Sequence, residues 1–278
     1  MSEFKIKAEN IKKAFRSKNN GNNGNTKELV ALNGVNLNVK KGEFLTIVGP
    51  SGCGKSTFLD LVGGLSKPNE GSIYIDGNPI EGPGLDRGIV FQQYVLLPWK
   101  TALGNVEFAL NDKKKNEKRE IAQKYLSLVG LKSFEDRYPY ELSGGMKQRV
   151  ALARSLAHNP DILLMDEPFG ALDMQTREIL QMELLRIWKE THKTILFITH
   201  SIDEAVFLSD RTAIMTARPG TIKDIVDIPL SRDARFEDDV RSSNSFVQTR
   251  QKLWELLKEE VAKAQIIGYD KQQYAVSK

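Results

Sequence analysis

Gly49-Pro50-Ser51-Gly52-Cys53-Gly54-Lys55-Ser56-Thr57 decides the fold. It fits G-x-x-x-x-G-K-[ST], the spacing of a phosphate-binding loop. The apolar run Phe44-Leu45-Thr46-Ile47-Val48 leads in and Phe58-Leu59-Asp60-Leu61-Val62 follows, which is the strand, loop, helix setting the motif requires. Glycines let the backbone curl so that its N–H groups face phosphate oxygens. The helix start behind them adds partial positive charge. Lys55 is placed to reach terminal phosphates, and the Ser56 hydroxyl to ligate Mg²⁺. A plain glycine-rich turn before a helix is the alternative; the lysine, the hydroxyl and the flanking elements together count against it.

Three further apolar runs share a property with Phe44–Val48. Ile89-Val90-Phe91 ends at Gln92, Ile162-Leu163-Leu164-Met165 at Asp166-Glu167, and Ile195-Leu196-Phe197-Ile198-Thr199 at His200. Continuous apolar runs suit strands of a parallel sheet covered on both faces. Ligands bind beyond the carboxyl ends of such strands, so four polar groups are expected to converge on one nucleotide. Asp166 at a strand end suits Mg²⁺, and Glu167 suits a general base that polarises the attacking water. A pair of exposed turn carboxylates is the bland alternative.

Around this core the pattern changes. Phe4-Lys5-Ile6-Lys7 alternates as an edge strand would, Asn10 to Phe15 continues it, and Leu29 to Val39 resumes a strand pattern. Between them Asn19-Asn20-Gly21-Asn22-Asn23-Gly24-Asn25 reads as a solvated loop. Ser72 to Ile75 reads as a short strand. Asn105–Leu110 and Glu117–Gly130 look helical, with Lys113-Lys114-Lys115 between them as a solvated face. A helical subdomain over about residues 93–159 is therefore expected inside a domain spanning 1–230. A linker and helical tail follow over 231–278, with Phe246, Arg250, Leu253, Leu257 and Val261 on the face that packs on the core or meets a partner. Leu142-Ser143-Gly144-Gly145-Met146 opens another helical pattern. Ser143 there is either an ordinary N-cap or, with Gly144 and Gly145, a second anion site.

Composition narrows the classes. A net charge of +4, from 40 Lys and Arg against 36 Asp and Glu, does not argue for nucleic acid as a partner. The one cysteine, Cys53, allows no internal disulfide and reads as a small filler in the loop, which fits a reducing cytosol. The opening MSEFKIKAENIKKAF has no apolar core of a signal peptide. No segment nears the roughly 20 apolar residues needed to cross a bilayer.

The motifs together resemble the nucleotide-binding subunit of ATP-binding cassette (ABC) transporters. GPSGCGKST matches that family's phosphate loop, LSGGM its signature and ILLMDEP its second acidic motif. Phe91-Gln92 matches the Q-loop, Gly170-Ala171-Leu172-Asp173 the D-loop and Thr199-His200 the switch histidine. The resemblance implies an α/β fold: a P-loop NTPase (RecA-like) core with an antiparallel β subdomain and an inserted α-helical subdomain. It implies ATP and Mg²⁺ as cofactors, held by Gly49, Pro50, Ser51, Gly52, Cys53, Gly54, Lys55, Ser56 and Thr57, with Phe15 stacking on adenine in a position where the family often has Tyr. Ser56, Gln92 and Asp166 would serve the metal; Glu167 would be the catalytic base; Lys55, Gln92 and His200 would complete the catalytic set. Ser143, Gly144, Gly145 and Asp173 would close on ATP held by a second copy of the chain.

The resemblance further implies transmembrane permease subunits and, indirectly, a solute-binding protein as partners, at the cytoplasmic face of the membrane. Leu97-Pro98-Trp99 and Arg218-Pro219-Gly220 look like the importer group for nitrate, aliphatic sulfonate, taurine and bicarbonate. Uptake of a thiamine precursor or aromatic acid is the alternative, as is a soluble ABC ATPase outside transport. A small-molecule P-loop kinase is disfavoured by the signature.

Overall fold

The computed structural model describes residues 3–18, 26–237 and 239–276. The Asn19–Asn25 loop reading lies outside the described residues. In chain order the elements begin β1 (Phe4–Lys18), β2 (Thr26–Lys40), β3 (Phe44–Val48), α1 (Lys55–Val62), β4 (Glu70–Ile75), β5 (Asn78–Pro79) and β6 (Arg87–Val90). They continue α2 (Ala102–Glu107), α3 (Lys115–Leu128), α4 (Gly144–Ala157), β7 (Ile162–Asp166), α5 (Met174–Thr191) and β8 (Thr194–Thr199). The last are α6 (Ile202–Leu208), β9 (Arg211–Met215), β10 (Ile222–Asp227) and α7 (Asn244–Val276).

The chain forms two compact units, one from residues up to Pro83 together with those from Ile198 onward, the other from Gly84–Phe197. In the first unit β1 pairs antiparallel with both β2 and β4, giving the sheet order β2-β1-β4-β5. This is the antiparallel layer expected from the alternating start of the chain. β3 pairs parallel with β9, and β10 runs antiparallel beside β9. Every residue of β3 is buried, which its unbroken apolar run dictates. Ile6, Ile11, Leu32, Val35, Phe58 and Leu59 fill the core beside it.

The tail packs back on this unit, but through a different face from the one expected. Phe246, Leu253 and Leu257 are buried, as predicted; Thr249 and Glu260 are buried in place of Arg250 and Val261. The polar pair wins because each finds a partner: Thr249 Oγ1 donates to Ser245 O at 2.7 Å, and Glu260 receives several donors. The expected polar linker is two short 3₁₀ turns, Ala234–Phe236 and Val240–Ser242. Arg235 is fully buried within them, donating to Leu208 O, Ser209 O and Leu230 O.

In the second unit β6, β7 and β8 stand in the order β8-β7-β6, with β6 and β7 parallel. β7 and β8 are buried almost throughout. β6 departs from the expected continuous burial: only Gly88 and Val90 are buried, and Phe91 falls beyond the strand. As the last strand in the order it has one free edge, so alternation suffices. α2 starts three residues before the expected Asn105 because Thr101 caps it, accepting Gly104 N–H at 3.1 Å. α3 likewise starts at Lys115, and Lys113 to Lys115 stay exposed, as expected of a solvated face.

Candidate functional site

The phosphate loop belongs to the first unit. Fully buried β3 delivers it, and α1 carries it away. Gly52 and Gly54 have φ of 73° and 113°, in the region open to glycine. A Cβ on Gly54 would meet Leu32 Cδ2 at 2.6 Å and Ala31 O at 3.0 Å, so the fold as well as the backbone demands glycine there. Lys55 is 6% exposed, and its ammonium donates to Gly49 O at 2.8 Å and Pro50 O at 3.1 Å. A buried ammonium held by carbonyls at the base of a loop is a fixed positive charge for an anion. Ser56 is exposed at the first turn of α1, and Cys53 is buried, as its reading as a filler requires.

The same unit carries Phe15 and His200. Phe15 is 45% exposed on β1 opposite Leu29 of β2, with Lys13 Nζ 5.4 Å from its ring centroid. A bare ring on a sheet surface suits stacking on a planar base. His200 is exposed on the tight turn between β8 and α6. The turn is tied internally: Ser201 N–H donates to Thr199 Oγ1 at 3.0 Å, the Thr199 hydroxyl donates to Glu204, and Glu204 N–H donates to Ser201 Oγ at 3.3 Å. Glu204 was not singled out from sequence, yet its buried carboxylate holds the turn that presents His200.

Gln92, Ser143, Gly144, Gly145, Asp166, Glu167 and Asp173 belong to the second unit. Asp166 closes β7 and Glu167 follows with φ of 44°, a left-handed conformation uncommon for glutamate. Such a backbone costs on the order of 1–3 kcal/mol and persists only where its surroundings enforce it. Gly170 N–H, donating to Glu167 O at 3.1 Å, closes the turn. Gln92 Nε2 donates to Glu167 Oε2 at 3.5 Å, which brings together two residues 75 positions apart.

Ser143 is the N-cap of α4: its hydroxyl accepts Met146 N–H at 3.3 Å. A Cβ on Gly144 would stand 3.0 Å from the Tyr94 hydroxyl and 3.7 Å from Leu172 Cδ2. The signature therefore touches the segments after Gln92 and before Asp173. Asp173 caps α5, accepting Thr176 N–H at 3.0 Å, and that bond holds its carboxyl below the usual range.

Two further positioning residues escaped the sequence reading. Arg154 near the end of α4 donates to Val95 O at 2.7 Å and Tyr94 O at 3.3 Å, and burial lowers its pKa. Asn105, fully buried in α2, accepts Leu97 N–H at 2.8 Å and donates to Leu97 O, Lys100 O and Thr101 O. It latches the turn that leaves Trp99 71% exposed. The available signal was an amide set among the apolar positions Leu103, Val106 and Leu110.

Comparisons with known proteins identify the family. The ABC transporter family model matches residues 32–170. An ABC transporter ATP-binding protein of Methanocaldococcus jannaschii is 54% identical over 264 residues, 94% of each chain. A nitrate import ATP-binding protein of Synechococcus elongatus is 51% identical over 75% of this chain and 78% of its own. A taurine import ATP-binding protein of Pelagibacter ubique is 47% identical over 80% of this chain and 86% of its own. Among solved structures, the dimeric post-hydrolysis state of an ATP-binding cassette bound to ADP and Pi has a TM-score of 0.70 at 36% identity, covering 81% of this chain and all of that one. With its phosphate loop, its acidic strand end and its capped signature helix in place, the chain belongs to the ABC transporter family, as an ATP-binding subunit with the P-loop NTPase fold.

Proposed function

We propose that the chain hydrolyses ATP to drive import of a small oxyanion, with the residue roles that the motifs suggest. The observation that carries the chemistry is Glu167: a carboxylate held in a left-handed backbone at the end of buried β7, with Gln92 beside it. Lys55 binds the terminal phosphates, and the loop N–H groups share their charge. Glu167 takes the proton of the attacking water, and Gln92 and His200 orient that water and the γ-phosphate. Phe15 stacks on adenine.

The donor set also fits Mg²⁺: the exposed Ser56 hydroxyl, the Asp166 carboxylate at a strand end and the Gln92 amide oxygen are hard oxygen ligands. Bound there, Mg²⁺ would neutralise charge on the β- and γ-phosphates. Ser143, Gly144, Gly145 and Asp173 face the ATP of a second copy of the chain, so the working unit is a dimer. The structural neighbour bound to ADP and Pi is dimeric, which supports this reading. Permease subunits at the cytoplasmic face of the membrane receive the resulting motion, and a solute-binding protein supplies the cargo. No described helix is long and apolar enough to cross a membrane.

Relatives named for nitrate, taurine and bicarbonate transport support an oxyanion as the solute. The exposed Trp99 after the Q-loop, fixed by Asn105, suits a permease-facing contact. Glu167→Gln tests the mechanism. It keeps the shape and loses the base, so phosphate release should fall by roughly 10²–10⁴-fold while ATP traps a dimer visible by size-exclusion chromatography. A monomer that turns over at the wild-type rate would remove Glu167 from the mechanism.

A further inference from the structure

The phosphate loop and α7 belong to the same unit, and one short turn touches both. It spans 216–221 and joins β9 to β10. The turn is laced by its own bonds. Thr216 N–H donates to Thr221 O at 2.9 Å, Thr221 N–H donates to Thr216 Oγ1 at 3.1 Å, and that hydroxyl donates to Pro219 O at 3.3 Å. These bonds close it into a small body.

One side of this body supports the phosphate loop. A Cβ on Gly220 would collide with the Cys53 carbonyl, and one on Gly49 would lie 3.0 Å from Met215 O and 3.1 Å from Met215 Cβ. The two segments lie against each other, with the Met215 side chain beside the contact. Gly220 also joins β2: its N–H donates to Ala31 O at 2.8 Å, and its carbonyl accepts Asn33 N–H at 2.9 Å. Ala31 and Leu32 are the residues that crowd Gly54. The start, middle and end of the loop thus rest on the 215–220 segment and the strand bonded to it.

The other side of the turn is held by Glu260 of α7, a group the ATP mechanism does not use. Glu260 is 3% exposed. Its carboxylate accepts Ala217 N–H at 3.0 Å, Lys223 Nζ at 3.1 Å and Lys263 Nζ at 2.8 Å. Burial opposes its ionisation, yet the donors from Lys263, Ala217 and Lys223 outweigh burial and hold its pKa down at about 2. Ala217 is 8% exposed, so without Glu260 its N–H would be buried and unpaired.

We propose that Glu260 is a positioning residue for nucleotide binding: through Ala217 N–H it seats the 216–221 turn, and the turn, through Met215 and Gly220, seats the phosphate loop at Gly49 and Cys53. The proposal rests on the reading of that loop as the ATP site. It couples the C-terminal helix to the nucleotide, and the coupling is reciprocal: docking of α7 tightens ATP binding, and ATP tightens docking of α7 by the same factor.

Titration of the full-length chain with a fluorescent ATP analogue tests this, with the thermal midpoint of the nucleotide-free protein measured in parallel. Glu260→Ala should raise the Kd about 5–20-fold, within the usual range of such couplings. Glu260→Gln keeps an oxygen for Ala217 N–H and loses only charge, so its Kd should lie closer to wild type. Lys263→Ala leaves the Ala217 bond in place and should change the Kd less than about twofold. Gly220→Ala attacks the same contact from the turn, with α7 untouched, and should raise the Kd as Glu260→Ala does.

A purely structural Glu260 would lower the thermal midpoint and leave the Kd alone. Unchanged Kd in Glu260→Ala and Gly220→Ala, with the wild type binding, would overturn the proposal while leaving the ATP site standing. If Glu260→Ala does not fold, unchanged Kd in Gly220→Ala, with the wild type binding, has the same force. Failure of the wild type to bind the analogue would overturn the ATP reading itself, and the proposal with it.

Discussion

Two helices of this chain start on serine and glycine, and they are built differently. α1 starts behind Ser51-Gly52-Cys53-Gly54, with Gly54 as N-cap at φ 113° and no side-chain cap among the described residues. α4 starts behind Ser143, whose hydroxyl accepts a backbone N–H of its own first turn. In place of such a cap the first start carries a buried ammonium, which donates to Gly49 O and Pro50 O at its loop. The second satisfies part of its first turn internally and has no lysine in the loop before it. Glycines at a helix start therefore say little until the cap is known. In the proposed function one start holds the phosphates of ATP, and the other, capped by its own serine, meets the ATP of a second chain.

The sharpest way to break this contrast is Lys55→Ala. It removes the cation that distinguishes α1, and phosphate release should fall by at least about 10²–10³-fold, the cost of losing one preorganised charge donor. Near-wild-type hydrolysis would mean that the loop is no more specialised than the signature. Gly54→Ala comes next. Its φ and its closeness to Leu32 and Ala31 should cost about 1–3 kcal/mol of stability, read by denaturant unfolding, together with weaker ATP binding.

Substitutions at Ser143 have the smallest effect on stability and the most selective effect on function. Ser143→Ala loses a cap, about 1 kcal/mol. Ser143→Arg should also stop turnover, and mixing it with Lys55→Ala should restore at most one working site per dimer. A fully active Ser143→Arg protein would show that α4 is only a capped helix.

Much of the fold is legible where one physical cause dominates. Phe44–Val48 and Ile162–Met165 are buried strands because an unbroken apolar run has nowhere else to go. Thr101 starts α2 three residues before the apolar periodicity suggests, because a capping hydroxyl outranks periodicity at a helix end. The tail shows the limit. Its apolar residues Phe246, Leu253 and Leu257 point inward as read, while Thr249 and Glu260 displace Arg250 and Val261. Side-chain polarity would bury Val261 and not Glu260, and the partners that reverse it, Ala217 and Lys223 for Glu260, lie 43 and 37 positions away. The site divides in the same way. Lys55, Asp166, Glu167 and Gln92 are visible as motif letters at strand ends. Arg154, Asn105 and Glu204 carry no motif; the first two act through the backbone groups they hold and Glu204 through the Thr199 hydroxyl.

By itself, then, the sequence determined the chemistry: a glycine-rich loop with its lysine, an acidic pair at the end of a buried strand, and the order of motifs that marks the ABC transporter family. These are local facts, set by which backbone angles glycine allows and which side chains carry charge. The tertiary structure alone decided which distant residues meet: Gly220 lies against Cys53, and Glu260 reaches Ala217, because of how distant segments pack. A hydrogen bond across 43 residues has no signature in either neighbourhood; it exists only once both surfaces are buried together.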